Sequence, residues 1–245
     1  MPVGHNSAVI FLGTAARASA VGAAIAASVL LSGCVSNVTG TAVRAQNAAP
    51  VDVPPLTEAK LADVLLSIGE LNGIMGSTQM KVTSELDEMT DHSGEVSDPD
   101  CLGAIYGAEE PVYAASGWTA VRDQVAREPG EDNEHWVEQT AVLYPSADKA
   151  QKFFDESKSS WKKCSGYSVS VDDASATYLW QIDQLASDEN LITQTTAQED
   201  ANGWACQHAL SVVSNVTVEA WACSYDVKDE AATIATDMVA NAAKK

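Results

Sequence analysis

The feature that most constrains this chain is the stretch Leu31-Ser32-Gly33-Cys34, because it decides the compartment in which the rest of the chain folds. An uncharged and largely apolar run of 14 residues, from Ala18 to Leu31, leads into it, with Arg17 as its basic flank. A membrane-spanning helix needs about 20 apolar residues, whereas the apolar region of a signal peptide needs about 7 to 15. The run is therefore too short to span a bilayer and is typical of an export signal.

The same four residues match the lipobox of bacterial lipoproteins. The leucine fills a peptidase pocket, the serine and glycine let the backbone enter the protease, and the thiol of Cys34 becomes the thioether that carries diacylglycerol. A single acyl chain gives only marginal membrane binding, so lipoproteins carry two or more. We predict a signal peptide over residues 1–33 and a lipid anchor on Cys34 at the extracytoplasmic face of the cell membrane. The alternative is an ordinary secretory signal with a chance match.

The sequence after the lipobox divides into a tether and a domain. Residues 34–55 are mostly small and polar without helical or alternating periodicity, and Pro50, Pro54 and Pro55 stiffen their end. Hydrophobic periodicity begins near Leu56. We predict a flexible tether over residues 34–55 and one folded domain over residues 56–245.

Charge restricts the partners of this domain. The chain has 34 acidic and 14 basic residues, which gives a formal net charge of −20. Such a chain repels phosphate backbones and anionic lipid surfaces, so we expect no nucleic-acid partner and membrane contact only through the lipid. The sequence has no G-x-S-x-G elbow, phosphate loop or H-E-x-x-H motif, and we expect no cofactor and no metal.

Four cysteines remain once Cys34 is lipidated, namely Cys101, Cys164, Cys206 and Cys223. An even number of cysteines in an oxidising compartment indicates disulfides. Four cysteines allow three pairings, and their spacing alone does not choose among them. A zinc site is the rival interpretation, but the sequence has neither a C-x-x-C pair nor H-x-x-x-H spacing.

Helix signals occur at three places. Ser67-Ile68-Gly69-Glu70 has the form of a capping box, and Gly76 follows as a stop. Ser146 is a candidate N-cap for a helix whose apolar face we expect to pack on a sheet. Apolar residues at helical spacing predict a last helix from Asp229 to Ala243.

Strand signals dominate the middle of the chain. The runs 112–127 and 136–144, separated by a loop with Pro129 and Gly130, predict an antiparallel pair. Three further runs, 167–171, 177–185 and 190–198, are also strand-like. The acidic stretch 84–101 is predicted to be an exposed excursion that brings Cys101 to its partner.

A hairpin over residues 203–225 favours one disulfide. If Ser214 and Asn215 form a two-residue turn, Val213 faces Val216, and the same register places Cys206 opposite Cys223. This is a non-hydrogen-bonded position, where Cα atoms are about 4.5 Å apart and a cross-strand disulfide can close. The register therefore favours Cys206 with Cys223, which leaves Cys101 with Cys164.

Aromatic residues and one arginine are the candidate ligand-binding groups. Trp118 and Arg122 would share one face if they lay in a strand, where Arg122 could bind an anionic ligand. An internal salt bridge from Arg122 to Glu128 or Glu138 is the alternative. The flat aromatic groups could stack on a sugar or a lipid headgroup, or else fill the core: Tyr113, Trp118, Trp136, Trp180 and Trp204.

A series of short motifs follows in order along the domain. They are Leu65-Leu66-Ser67, Glu70-Leu71-Asn72, Ile74-Met75-Gly76, Cys101-Leu102, Val112-Tyr113, Ser116-Gly117-Trp118-Thr119-Ala120-Val121-Arg122, Glu128-Pro129, Phe153-Phe154, Trp161-Lys162, Cys164, Gly203-Trp204-Ala205-Cys206-Gln207 and Ala222-Cys223. Together with the four cysteines, their order resembles that of a known domain family, the extracellular sensor domain of mycobacterial PknH-type serine/threonine kinases. Many actinobacterial lipoproteins carry a similar domain without a kinase. The resemblance extends over about residues 56–243.

The resemblance implies an α+β fold in which a twisted antiparallel sheet packs with helices beside an open cleft for an unidentified ligand. It also implies two disulfides, Cys101 with Cys164 and Cys206 with Cys223, in agreement with the register above. We expect neither a catalytic domain nor a spanning helix in this chain.

Three hypotheses for the function follow. The first is a sensor-like module that binds a small cell-envelope ligand. The second is an interaction module that docks on another envelope protein, such as a receptor kinase. The third is a hydrolase with a dispersed site, which we disfavour because no nucleophile constellation is apparent.

Overall fold

The structure is a computed structural model, and it describes residues 53–130, 133–173 and 175–244. The predicted signal peptide, Cys34 and most of the predicted tether lie outside the described residues. No helix in the described part of the chain is long and apolar enough to cross a bilayer.

The described chain contains five α-helices, nine strands and three short 3₁₀ helices. The helices are α1 (Ile68–Met75), α2 (Leu102–Ile105), α3 (Glu110–Tyr113), α4 (Ala147–Cys164) and α5 (Glu230–Ala242). The strands are β1 (Lys81–Leu86), β2 (Ala120–Arg127), β3 (His135–Leu143), β4 (Ser168–Asp172), β5 (Thr177–Ile182), β6 (Ala186–Ser187), β7 (Leu191–Gln198), β8 (Ala205–Val213) and β9 (Val216–Ser224).

The strands form one antiparallel sheet in the order β1-β2-β3-β9-β8-β7-β5-β4, with β6 paired to β7. Helices cover both faces. The fold is therefore α+β, with a twisted antiparallel sheet between helices, as the sequence predicted.

The two faces carry separate cores because successive residues of a strand point to opposite sides. On one face, α5 packs on β8 and β9, with Ile234 and Met238 fully buried. On the other face, α4 packs on the same two strands, with Phe154 and Trp161 buried. The alternation is clear in β9, where Val218 belongs to the α5 core and Trp221 does not.

All three predicted helices form, and two of them begin at their predicted capping residues. Ser67 and Glu70 make the full capping box of α1, and Gly76 ends that helix in the left-handed conformation with φ of 71°. Ser146 caps α4 by accepting a hydrogen bond from the backbone N–H of Lys149. These signals act within one turn of the chain, which is why sequence reasoning finds them.

Two predictions about strands were wrong. The stretch 84–101 is not wholly an excursion, because its first residues belong to β1, an exposed edge strand that needs no apolar alternation. The run 112–127 is not one strand either. Pro111 lies in the first turn of the short helix α3, and Gly117, with φ of 77°, turns the chain before β2 starts at Ala120.

The structure confirms both disulfides. Ser214 and Asn215 form the predicted turn, and Cys206 pairs with Cys223 across β8 and β9 with their Cα atoms 4.0 Å apart. Cys101 is bonded to Cys164, which ties the residue before α2 to the last residue of α4.

Candidate functional site

An open cleft of about 840 Å³ lies on the α4 side of the sheet, where the helix no longer covers the strands. Trp161 of α4 packs on His208 of β8, and Cys206, the next residue of β8 on that face, lines the cleft. The cleft is also lined by Ile105, the last residue of α2, and by Tyr106, which follows it. The cleft is therefore the uncovered end of one sheet face.

Strand register brings the residues of the cleft floor together. Trp136 of β3 faces Cys223 of β9, Cys223 faces Cys206 of β8, and Cys206 faces Thr196 of β7. All four therefore lie in one row across the sheet, on the same face. The Cys206–Cys223 disulfide lies in the middle of this row.

Four tryptophans surround the disulfide. Trp136, Trp180 and Trp204 are half-buried, whereas Trp221 is only 4% exposed. Trp204 meets Tyr225 edge to face, with ring centroids 5.1 Å apart. Aromatic faces that remain partly exposed in a concave site offer flat surfaces for stacking a ring-shaped ligand.

Three of the six predicted ligand-binding residues lie in this cleft. They are Trp136, Trp180 and Trp204. The cleft lining, among the described residues, does not include Tyr113, Trp118 or Arg122. The predicted cleft is present, but half of its predicted residues serve elsewhere.

Trp118 and Arg122 do not share a strand face. Trp118 precedes β2 and packs against the core on the α4 side. Arg122 has the same alternation in β2 as Ala120 and Ala126, which belong to the α5 core, so it lies on the opposite side of the sheet. Its guanidinium group lies 3.5 Å from the carboxylate of Glu58, so its salt-bridge partner is neither Glu128 nor Glu138, the two that we predicted.

Tyr113 is a core residue. Its side chain is 1% exposed and stacks on Phe153 with ring centroids 4.1 Å apart. Its hydroxyl donates a hydrogen bond of 2.8 Å to Glu219. The residue therefore holds the helix layer to the sheet and cannot reach a ligand.

Sequence reasoning missed several lining residues, above all Trp221, Glu138 and Arg127. Trp221 stands two residues before Cys223, so strand alternation alone places it on the face of the disulfide. Glu138 is likewise two residues after Trp136. To place these residues together one must know that β3 pairs with β9, and the local sequence does not specify this pairing.

Glu138 is an unusual carboxyl group for a cleft. The residue is half-buried, and its pKa is well above the usual value, first because its carboxyl group is shielded from solvent and then because Asp123 and Glu219 carry like charges nearby. Gly107 passes close to it, since a Cβ atom there would lie 3.4 Å from Oε1 of Glu138 and 3.2 Å from the Trp221 ring. A larger residue at position 107 would crowd both side chains.

Each histidine of the described chain lies against a glutamate. The nitrogen–oxygen distances are 2.5 Å for His92 and Glu109, 2.7 Å for His135 and Glu128, and 2.8 Å for His208 and Glu219.

His208 is the histidine nearest the cleft, but it is fully buried. The centroid of its ring lies 4.0 Å from that of Trp161 and 4.1 Å from that of Trp221. A ring enclosed in this way cannot reach a substrate, so its contact with Glu219 does not raise the hydrolase hypothesis.

The His92–Glu109 pair predicts a pH dependence of stability. The hydrogen bond to Glu109 raises the pKa of His92 above its value of about 6.5 in an unfolded chain. Because folded His92 binds its proton more tightly than unfolded His92 does, protonation stabilises the folded protein. This stabilisation is complete below about pH 6.5 and is lost as the pH rises through the pKa of the folded state.

We therefore expect His92→Gln to destabilise the protein most in mildly acidic solution and less in alkaline solution. Urea unfolding of both proteins across a pH series measures this difference. A constant difference at every pH would contradict the assignment.

The described residues contain no cluster of potential metal ligands. In residues 53–130, 133–173 and 175–244, no group of three or more His, Cys, Asp or Glu side chains is arranged to hold a metal ion.

Comparison with known proteins places this architecture in a family. The model of the PknH-like extracellular domain matches residues 56–241. The serine/threonine-protein kinase PknH of Mycobacterium bovis is 40% identical over 191 residues, which is 78% of this chain and 32% of the kinase. PknH of Mycobacterium tuberculosis is also 40% identical, over 30% of its length. The chain thus spans about a third of the length of these curated relatives.

A solved structure supports the same assignment. The crystal structure of the extracellular domain of PknH from Mycobacterium tuberculosis matches with a TM-score of 0.74 and 38% sequence identity. The match covers 78% of this chain and 98% of that domain. This chain therefore belongs to the family of PknH-like extracellular domains.

Proposed function

We propose that this protein is a lipid-anchored, extracytoplasmic binding module that holds a cell-envelope molecule in its aromatic cleft. The lipobox ending at Cys34 and the preceding apolar run support the anchor. The similarity to the extracellular domain of a serine/threonine-protein kinase supports a domain that binds a ligand and does not transform it.

The observation that carries the proposal is the convergence of four tryptophans on one open cleft. An apolar cluster of this kind is normally covered in a soluble domain unless it binds something. The cleft size of about 840 Å³ falls within the usual range for small-ligand sites. Asn133, Gln198 and Asn202 add amide groups to the lining, which suits a ligand that has both flat and polar faces, such as a sugar or lipid headgroup.

The test is a binding screen followed by substitution of cleft residues. Native mass spectrometry and thermal-shift measurements on the full-length, oxidised protein would screen envelope glycolipids and peptidoglycan fragments. We expect Trp180→Ala and Trp204→Ala each to weaken the binding of a hit about 10-fold to 100-fold, because central aromatic anchors dominate such sites. Intrinsic tryptophan fluorescence measures the affinities.

Tyr167→Ala is the matched control. Tyr167 is an aromatic residue that is 59% exposed and lies outside the cleft lining, so its loss should leave binding unchanged. Failure of every envelope component to bind a soluble, correctly oxidised protein would overturn the proposal. So would hits that bind both tryptophan variants as tightly as the wild type.

A docking role on another envelope protein is the second candidate. The exposed edge of β1 favours it, since within the described residues this strand pairs only with β2. Unpaired strand edges are used for recognition by β-augmentation. Crosslinking in intact cells separates the two roles, because a docking module would still capture its partner when Trp180 and Trp204 are replaced.

A further inference from the structure

Three carboxyl groups lie next to one another on the α4 side of the sheet. Asp123 of β2 faces Thr140 of β3, and Thr140 faces Glu219 of β9. Glu138 is two residues before Thr140 and therefore lies on the same face. No lysine or arginine in the described part of the chain forms a salt bridge with any of these three carboxyl groups.

The hydrogen bonds of the three groups differ. Glu219 accepts from the Tyr113 hydroxyl at 2.8 Å and from the backbone N–H of Ala108 at 3.2 Å. Asp123 accepts from the Thr140 hydroxyl at 2.6 Å. Asp123 and Glu138 are diagonal neighbours on one face of the sheet, because Asp123 faces Thr140 and Val125 faces Glu138. Two carboxyl groups bond to each other only when one of them carries a proton.

The surroundings favour keeping that proton. Burial raises the pKa of Asp123 as well as that of Glu138. Burial also lowers the pKa of His208, so this ring is neutral and supplies no compensating charge. The charged and titratable groups around the pair are Arg127, Asp173 and Tyr106 in the cleft lining, Glu219 and Glu109 near Glu138, and His208 and Tyr113, which contact Glu219.

Among the residues that line the cleft with Glu138, one polar atom lacks a hydrogen-bond acceptor and another lacks a hydrogen-bond donor. Nε1 of Trp221 is a buried donor and Oδ1 of Asn133 is a buried acceptor, and neither has a hydrogen-bond partner among the described residues. A ligand hydroxyl group can act as the acceptor for the indole N–H or as the donor to the amide oxygen. A hydrocarbon chain can do neither, and a quaternary ammonium group cannot accept from the indole.

We infer that the cleft selects an uncharged, hydroxyl-bearing ring, of which sugars are the common case, and that Glu138 selects it by sharing one proton with Asp123. This inference rests on the proposed ligand cleft. With the proton in place, the floor presents a neutral acid to the ligand. Without it, two adjacent carboxylates remain, and a neutral ligand cannot offset their repulsion as a cation would.

The first experiment needs no ligand. Carbon-detected NMR on full-length protein with labelled Asp and Glu side chains would follow each carboxyl group from about pH 3 to about pH 9. We expect one glutamate resonance to titrate well above the usual carboxyl range and to be lost in Glu138→Gln. Titration of Glu138 in the ordinary range would overturn the inference.

The second experiment uses named sugars. Chitotriose and maltotriose are neutral probes, and trigalacturonate is an anionic probe of similar size. We expect the wild type to bind a neutral trisaccharide and to lose about tenfold in affinity per pH unit above the pKa of Glu138. Glu138→Gln imitates the protonated acid, so its affinity should stay high and independent of pH. Trigalacturonate should bind at least about tenfold more weakly than the neutral probes at every pH.

Glu88→Gln is the matched control, because Glu88 is exposed and outside the cleft lining, and it should behave as the wild type does. Equal pH dependence in the wild type and Glu138→Gln would overturn the inference. Failure of all three sugars while another envelope component binds would also overturn it but would leave the proposed cleft standing. Failure of every component in the wider screen removes the proposed function itself.

Discussion

Removal of the Cys101–Cys164 disulfide should lower the free energy of unfolding by about 4 kcal/mol. The bond closes a loop of 63 residues, and a cross-link of that length removes much of the conformational entropy of the unfolded chain. It also joins the end of α4 to the start of the segment that forms one wall of the cleft. Urea unfolding of the double variant Cys101→Ala, Cys164→Ala measures the loss.

The second disulfide provides the comparison. The Cys206–Cys223 bond spans only 17 residues, so its removal should cost about 3 kcal/mol, less than the first. Reduction of the wild type should reproduce the sum of the two losses. If the first double variant unfolds at the same urea concentration as the wild type, with an unchanged slope, the stabilising role of that bond is refuted.

Trp161→Ala should destabilise the protein by about 3 to 5 kcal/mol, the usual cost of truncating a large buried aromatic residue. Trp161 is 2% exposed and packs on the His208 ring, and its carbonyl oxygen accepts a hydrogen bond from Gln194. The variant leaves a cavity above β8. It also lets water reach His208, so the lowered pKa of that histidine should rise toward its usual value.

Lys162→Ala tests whether the effect belongs to the buried face of α4. Lys162 is the next residue of the same helix but is exposed, so its replacement should change stability by no more than about 0.5 kcal/mol. Urea unfolding gives the free energies, and NMR titration gives the His208 pKa. A loss below about 1 kcal/mol for Trp161→Ala would show that the residue does not hold α4 to the sheet.

Local sequence signals explain which elements could be predicted from the sequence alone. The capping box of α1, the N-cap of α4 and the apolar face of α5 each act over a few residues, and all three helices form as predicted. The turn at Ser214 and Asn215 fixes the register of the hairpin. Counting residues outward from this turn along both strands was therefore enough to pair Cys206 with Cys223. These elements are specified by short-range sterics and hydrogen bonding.

The errors arose where a residue's neighbours are distant in the sequence. Trp118 and Arg122 were placed on one face because the turn at Gly117 was not recognised. Tyr113 was a candidate either for stacking on a ligand or for filling the core, and nothing nearby in the sequence shows that its hydroxyl meets Glu219. The edge strand β1 lacks an apolar pattern because only one of its edges is paired and both faces are largely exposed.

The amino-acid order by itself thus determined the helices, the central hairpin, the family resemblance and the predicted route of export. Only the tertiary structure decided which aromatic residues share the cleft and which acids lie next to one another beneath it. The pairings of β3 with β9 and of β7 with β8 bring Trp136, the disulfide and Thr196 into one row, and the pairing of β2 with β3 brings Asp123 beside Glu138. The physical reason is that strand partners are chosen by the burial of the whole sheet between two helix layers, a property of no single segment.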